Sequence, residues 1–288
     1  MQRGIVFPQY EIGNDPAVIR DFAQAAEALG FTHLLIYDHV LGADRDRPGG
    51  FSGPYDKDTA FHEPFVTFGF LAGQTTTIEL VTAVLILPQR QAVLVAKQAA
   101  EVDILSGGRL RLGIGVGWND VEYEALGEDF RTRGRRQEEQ VELLRHLWAS
   151  DTIDFAGRWH RVTRAGINPK PGRSIPVWFG GSTPALADRI ARLGDGWIPI
   201  MGPTEEASAM IAAIHRRASA HGRDPGSLGI QAQAQARGGT PERWAKHAAA
   251  WRDLGATHLA IATMDAGFRN LEEHLAAAEA WKAAIAHV

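Results

Sequence analysis

The 288-residue chain contains no cysteine, which removes disulfides, thiolate nucleophiles and every cysteine-based zinc or iron–sulfur centre. It also lacks any uncharged run approaching the roughly 20 residues that a membrane-spanning helix needs. The opening Met1-Gln-Arg-Gly-Ile-Val-Phe7 holds no apolar stretch of secretory-signal length, so a cytoplasmic protein with no membrane partner is expected. Charge of one sign is missing too: 30 Lys and Arg against 34 Asp and Glu leave a net charge of −4. That balance provides no basic footprint for a nucleic acid. No His-Glu-x-x-His segment or other tight histidine–carboxylate cluster is present, so no metal is expected. No internal repeat is visible.

What is present is a regular alternation of apolar strand-like runs and amphipathic helical stretches. Strands are expected at Gly4–Gln9, Thr32–Tyr37, Ile78–Leu87, Leu110–Val116, Ile175–Phe179, Trp197–Ile200, Leu228–Gln235 and His258–Ala262. Helices are expected at Pro16–Leu29, Glu63–Thr76, Gln91–Leu105, Arg135–Trp148, Pro184–Leu193, Glu205–His221, Pro241–Leu254 and Leu271–His287. Asp15 before Pro16, with Gly30 behind, is a start-and-stop pair for the first helix, and Ser182 or Thr183 is the expected cap of the fifth. Eight parallel strands joined by crossover helices close without edges. The expected fold is therefore α/β, a single (β/α)8 TIM barrel over residues 1–288, with an active-site loop insertion at 42–62 and a small hairpin insertion at 152–164. The rival is an open doubly wound sheet.

In such a barrel the site is built where the strands end. That rule selects Phe7 after the first strand, Asp38 and His39 after the second, Thr82, Ala83 and Val84 in the third, Gly115, Gly117 and Trp118 in the fourth, and Gly180, Gly181 and Ser182 after the fifth. His39 is the candidate for proton handling, since imidazole alone titrates near neutrality; the alternative is a structural hydrogen bond to Asp38 or a loop carbonyl. In Leu110-Arg-Leu-Gly-Ile-Gly-Val-Gly-Trp118 the glycines leave room for a planar ligand against the backbone, or simply loosen a core strand. Phe179-Gly-Gly-Ser-Thr-Pro184 runs into a helix start, so its N–H groups and hydroxyl would cradle a phosphate or form an ordinary cap. Arg133, Arg135 and Arg136 would reach a cofactor tail or pair with Glu138 and Glu139.

The ordered set Tyr37-Asp-His-Val40, Leu87-Pro88, Ala96-Lys97, Leu105-Ser-Gly-Gly-Arg109, Leu112-Gly-Ile-Gly-Val-Gly-Trp118, Arg133-Gly-Arg135, Pro176-Val-Trp-Phe-Gly-Gly181 and Asp195-Gly-Trp197 resembles the luciferase-like monooxygenase superfamily, in particular its branch using the deazaflavin coenzyme F420. The resemblance implies a flat redox ring in the barrel mouth. His39 would face the reactive carbon, and Thr82, Ala83 and Val84 would support the ring's back through a non-proline cis peptide. Gly115, Gly117 and Trp118 would flank the ring, with Asp38 also on the cofactor side. Gly180, Gly181 and Ser182 would take its phosphate. It implies hydride transfer between F420 and an organic small molecule, with two alternatives: an FMN-dependent monooxygenase fed by a separate reductase, or a flavin-binding protein without turnover. One departure stands out: the sugar-phosphate dehydrogenases of the superfamily carry a glutamate where this chain has Trp118. Glu63 is the substitute proton donor considered, and Phe7 and Glu63 are the expected substrate contacts. The resemblance also implies a homodimer through barrel helices two and three, where Ala96, Ala99 and Ala100 fit either a partner or the chain's own core.

Overall fold

Each apolar run ends near a helix-initiating residue, and this punctuation produces eight β/α steps within residues 1–288, all of which the computed structural model describes. In chain order they are β1 (Gln2–Val6) and α1 (Pro16–Ala28), β2 (His33–Ile36) and α2 (Pro64–Ala72), then β3 (Glu79–Thr82) with its continuation β4 (Leu85–Ile86) and α3 (Ala92–Leu105). β5 (Leu110–Gly115) follows, with the short α4 (Asp120–Ala125) and then α5 (Arg133–Ala149). The antiparallel hairpin β6 (Ile153–Ala156) and β7 (Arg161–Ala165) stands apart from the ring. The last four steps are β8 (Val177–Gly180) with α6 (Leu186–Leu193), β9 (Gly196–Ile198) with α7 (Glu205–Ala220), β10 (Gly229–Gln235) with α8 (Pro241–Asp253), and β11 (His258–Ala262) with α9 (Leu271–Ala284).

All neighbouring barrel strands pair in parallel, in the order β3, β2, β1, β11, β10, β9, β8, β5, and the β3–β5 pairing at Leu80↔Leu110 closes the ring. The open-sheet alternative is thereby excluded. Period-2 alternation divides the strand residues between two cores. Ile5, Leu34, Leu80, Leu112, Val177 and Ile261 face the helices and join the large outer core. Val6, Leu35, Val81, Ala260, Ala262 and Met264 face inward and form a separate cluster in the lumen.

The lower lumen is filled. Arg111 turns inward, pairs with Glu79 at 2.7 Å and lies 4.3 Å over the Trp178 ring. Trp178 packs edge-on against His258 at 5.1 Å, and His33 against His258 at 5.3 Å. Burial and then the Arg111 charge keep His33 well below its ordinary value and push His258 down to about 3. A ligand therefore enters only from the C-terminal mouth.

Several expected boundaries move for local reasons. The second helix starts at Pro64 with Glu63 as its N-cap and stops at Ala72, before Gly73. The expected third strand is two short ones, because the register slips by one residue between them: Leu80 faces Leu110, whereas Leu85 faces Ile114. The fifth barrel helix begins at Leu186, two residues past Pro184, without a side-chain cap from Ser182 or Thr183. α4 has no counterpart among the expected helices. Glu138 pairs with Arg189 and Arg192 of α6, and Glu139 binds the hairpin through the N–H groups of Arg158, Trp159 and His160. Neither glutamate meets the arginines of its own helix start; Arg136 is buried against Pro88 O and Glu128.

Candidate active site at the barrel mouth

His39 follows β2 by three residues and is placed on the rim by the strand's end. Its Nδ1 lies 3.2 and 3.3 Å from the two oxygens of Glu122, in α4. Glu122 Oε1 also accepts from Val40 N–H at 2.7 Å and from Leu41 N–H at 3.3 Å. The glutamate is 1% exposed and no Arg or Lys reaches it. Nε2 of His39 makes no hydrogen bond within the protein.

An aromatic wall surrounds the imidazole. Phe61 lies 4.7 Å away edge-on, Tyr55 5.2 Å and Trp118 5.4 Å. Tyr55 and Phe61 come from the 42–62 loop, and Phe51 of the same loop packs on Trp118 at 6.1 Å. A cavity of about 180 Å³ opens here, lined by His39, Val40, Tyr55, Thr59 and Phe61 together with neighbouring loop residues. Tyr10, 5.8 Å from Tyr55 and 6.0 Å from Phe61, donates to Asp265 at 2.8 Å.

Three expected contacts belong elsewhere. Phe7 is fully buried in the outer core against Phe22, because strand alternation turns Val6, not Phe7, toward the lumen. It cannot meet a substrate. Asp38 is buried with both oxygens engaged, Oδ1 by Arg90 at 2.7 Å and Oδ2 by Ile86 N–H at 2.8 Å. It ties the end of β2 to β4 and is not free for a cofactor. Glu63 likewise uses one oxygen to cap α2 at Val66 N–H and the other to bind Arg90 at 2.9 Å. It is an anchor in an Asp38–Arg90–Glu63 chain, not a proton donor. Burial works against the Arg90 charge, but the two carboxylates outweigh it and hold its pKa above the ordinary value.

The third-strand trio divides by direction. Thr82 faces outward and donates to Gly113 O at 2.7 Å, locking β3 to β5. The Ala83–Val84 peptide is cis, and Ala83 borders the lumen cluster. A Cβ on Gly115 would lie 2.3 Å from Val84 Cγ2, and one on Gly180 would lie 2.5 Å from Val84 Cγ1. The space beside these glycines is thus taken by Val84. What the glycines provide is a seat for one valine side chain, which then stands as the floor of the mouth. Gly117, at φ +66°, accommodates Ile86 in the same way.

Across the mouth, Trp197 Nε1 donates to Gly181 O at 2.7 Å and Gly181 N–H donates to Ile198 O at 3.2 Å. Gly181, expected to offer its N–H to an anion, is engaged in the sheet. Beyond it, the N–H groups of Ser182, Thr183 and Ala185 have no protein acceptor, and neither hydroxyl is bonded. They sit at the start of α6, the positive end of its dipole.

Glu122 and the Tyr55–Phe61 pair were not identified from sequence. Asn119 and Glu122 have capping-box spacing directly after the glycine strand, and that was the available signal. Asn119 does cap α4, accepting from Val121 N–H at 3.2 Å, but the glutamate turns away to His39.

Residues 3–287 match the luciferase-like monooxygenase family. The chain belongs to that family. An uncharacterized protein of Mycobacterium tuberculosis is 34% identical over 199 residues, 67% of this chain and 69% of its own length. An F420-dependent hydroxymycolic acid dehydrogenase of the same organism is 30% identical over 254 residues, 86% of this chain and 66% of its own. An FMNH2-dependent dimethylsulfone monooxygenase of Pseudomonas fluorescens is 30% identical over 205 residues, 70% of this chain and 53% of its own. Among solved structures, an F420-dependent secondary alcohol dehydrogenase in complex with an F420–acetone adduct superimposes with a TM-score of 0.81 at 17% identity, over 99% of this chain and 98% of its own. A monooxygenase from Streptomyces bottropensis does so with a TM-score of 0.80 at 19% identity, over 100% and 99%. These structural likenesses show the luciferase-like barrel fold.

Proposed function

We propose that this luciferase-like protein is an F420-dependent oxidoreductase acting on a small organic substrate, with His39 as the group that takes or returns the proton. The observation that carries this reading is the His39–Glu122 pair on the rim of a mouth floored by Val84. The residues present fit a flat ring with an anionic tail. Ala83 and Val84 offer a small-residue surface, and the unengaged N–H groups and hydroxyls at Ser182 and Thr183 suit a phosphate. No carboxylate competes there, since Asp188 is paired with Arg192. When bound, F420 supplies a two-electron hydride acceptor or donor. The chain's part is orientation and proton transfer: Nε2 of His39 faces the mouth as the proton acceptor, while Tyr55, Phe61 and Trp118 exclude water around it.

The similarity to the FMNH2-dependent monooxygenase supports a second reading, reduced-flavin oxygenation. Titrating the purified protein with F420 and, separately, with FMN, followed by absorbance and fluorescence, decides between them. Tight F420 binding is expected; much tighter FMN binding would overturn the first reading. Binding of either without turnover across a broad alcohol, aldehyde and ketone panel would favour the passive binder.

We also propose a homodimer through α2 and α3. Ala96, Ala99 and Ala100 are fully buried in the chain's own core and take no part. The support is the apolar face beside them, where Val66 is 71%, Leu94 51% and Leu105 57% exposed.

A further inference from the structure

A carboxylate buried without a cation is costly unless hydrogen bonds compensate it. Glu122 is the case here: its partners are Val40 N–H, Leu41 N–H and the imidazole of His39. The first two can only donate. The carboxylate is therefore an acceptor toward all three groups, and the imidazole edge facing it carries hydrogen. Glu122 contributes nothing comparable to its own helix, because it faces His39 instead of returning to the Asn119 backbone. The 83-residue separation from His39 makes this a tertiary arrangement.

We propose that Glu122 is the positioning residue for His39: it fixes the Nδ1–H tautomer and the ring orientation, so that the bare Nε2 is the atom presented to the substrate. The proposal rests on the reading of His39 as the proton-handling group, and it is independent of which redox cofactor the mouth takes. A tautomer fixed in advance leaves the acceptor lone pair in place before substrate arrives, which is the role an orienting carboxylate plays beside a catalytic imidazole. It also ties α4 to the backbone at Val40 and Leu41, so the start of the 42–62 loop and the imidazole are held by one group.

Glu122→Gln gives a sharp test. The amide oxygen would stay on Val40 and Leu41 N–H, where Oε1 now sits, and the amide NH2 would replace Oε2, 3.3 Å from Nδ1. Nδ1 then lies 3.2 Å from a neutral amide oxygen and 3.3 Å from a donating NH2 in place of two carboxylate oxygens, so the preference for Nδ1–H weakens and Nε2–H gains population. Long-range 1H–15N spectra of the protein without cofactor, at a pH where the ring is neutral, read the tautomer directly. The chain has 11 histidines, so His39 is assigned as the resonance set missing in His39→Asn. The expected result is Nδ1–H alone in the parent and a raised Nε2–H population in Glu122→Gln, with unchanged backbone dispersion. An Nε2–H or mixed tautomer in the parent, or tautomer populations identical in the two proteins, overturns the proposal. Because no cofactor is added, that failure leaves the F420 reading standing, and preferential FMN binding in the titration leaves this result standing. With a turnover substrate in hand, His39→Asn is expected to lower the rate by about 100-fold or more, the usual scale of a lost general base, and Glu122→Gln by less.

Discussion

Arg90→Met removes the guanidinium that joins Asp38 to Glu63 while keeping most of the apolar stem. The side chain of Asp38 is 0% exposed, so the variant leaves a buried carboxylate with Ile86 N–H as its remaining partner. Breaking one side of a buried pair costs about 3–5 kcal/mol. For a chain of this size that corresponds to a fall in Tm of about 5–8 °C. The cost should depend on pH with a definite sign. Burial raises the pKa of Asp38, and Arg90 is the main influence opposing that rise. Without Arg90 the folded-state value lies further above the unfolded one, so folding favours the protonated acid. That contribution is full below the unfolded carboxyl value and is lost as pH rises through the folded value, which makes the deficit largest at neutral pH and smaller in mild acid. Urea denaturation of the parent, Arg90→Met, Asp38→Asn and the double variant, at pH 7 and pH 5, measures both effects. The double variant should recover most of the loss, because no buried charge remains. Arg90→Met within 1 kcal/mol of the parent at pH 7, or a double variant no better than the single one, would refute the reasoning.

Other consequences are shorter to state. Gly115→Ala drives a Cβ to within 2.3 Å of Val84 Cγ2, so it should cost about 1–3 kcal/mol by overpacking and weaken cofactor binding. Adding Val84→Ala should restore the stability, and a Gly115→Ala variant as stable as the parent by thermal melting would show that Val84 does not fill that space. If the proposed α2–α3 dimer forms, Leu94→Glu should convert it to a monomer by light scattering; a parent protein that is already monomeric removes the proposal. His258 is neutral in the folded state down to about pH 3, whereas the unfolded chain protonates it near pH 6.5. Its depressed pKa therefore contributes stability above that value, and this is lost on acidification at up to about 1.4 kcal/mol per pH unit. His258→Gln should flatten the stability profile between pH 6.5 and 5, and equal slopes in both proteins would contradict the burial argument.

The barrel was legible because each of its steps is written locally. Asp15 accepts from Ala17 N–H at 2.8 Å to start α1, and the strands show clear period-2 runs. Two motifs that look functional in sequence prove to be joints of the scaffold. In Leu105-Ser-Gly-Gly-Arg109, Gly107 and Gly108 adopt φ of +69° and +86°, delivering Arg109 to the carbonyls of Ala72, Thr75 and Ile78. In Asp195-Gly-Trp197, Asp195 receives Val177 N–H and Arg145, Gly196 leaves space for Trp178, and Trp197 holds Gly181. The break in the third strand was not legible, because Ile78–Leu87 is apolar almost throughout and only the register against β5 reveals the extra residue.

The site divides along the same line. His39 could be placed on the rim from strand order alone, since topology fixes where each strand ends. What its imidazole meets depends on two loops that carry no periodicity, and Glu122 has a spacing that points to its own helix. Asp38 and Glu63 failed as site residues for the complementary reason: both are satisfied by Arg90 and by nearby backbone N–H groups, so their charge is spent on the scaffold. A charged residue beside a barrel mouth is thus informative only once its partners are known. Glu122 ends on a ring whose other nitrogen is free, while Asp38 ends on an arginine that is itself held at both ends. That difference, and not proximity to the mouth, makes the first a candidate for proton chemistry and the second a fastening between strands.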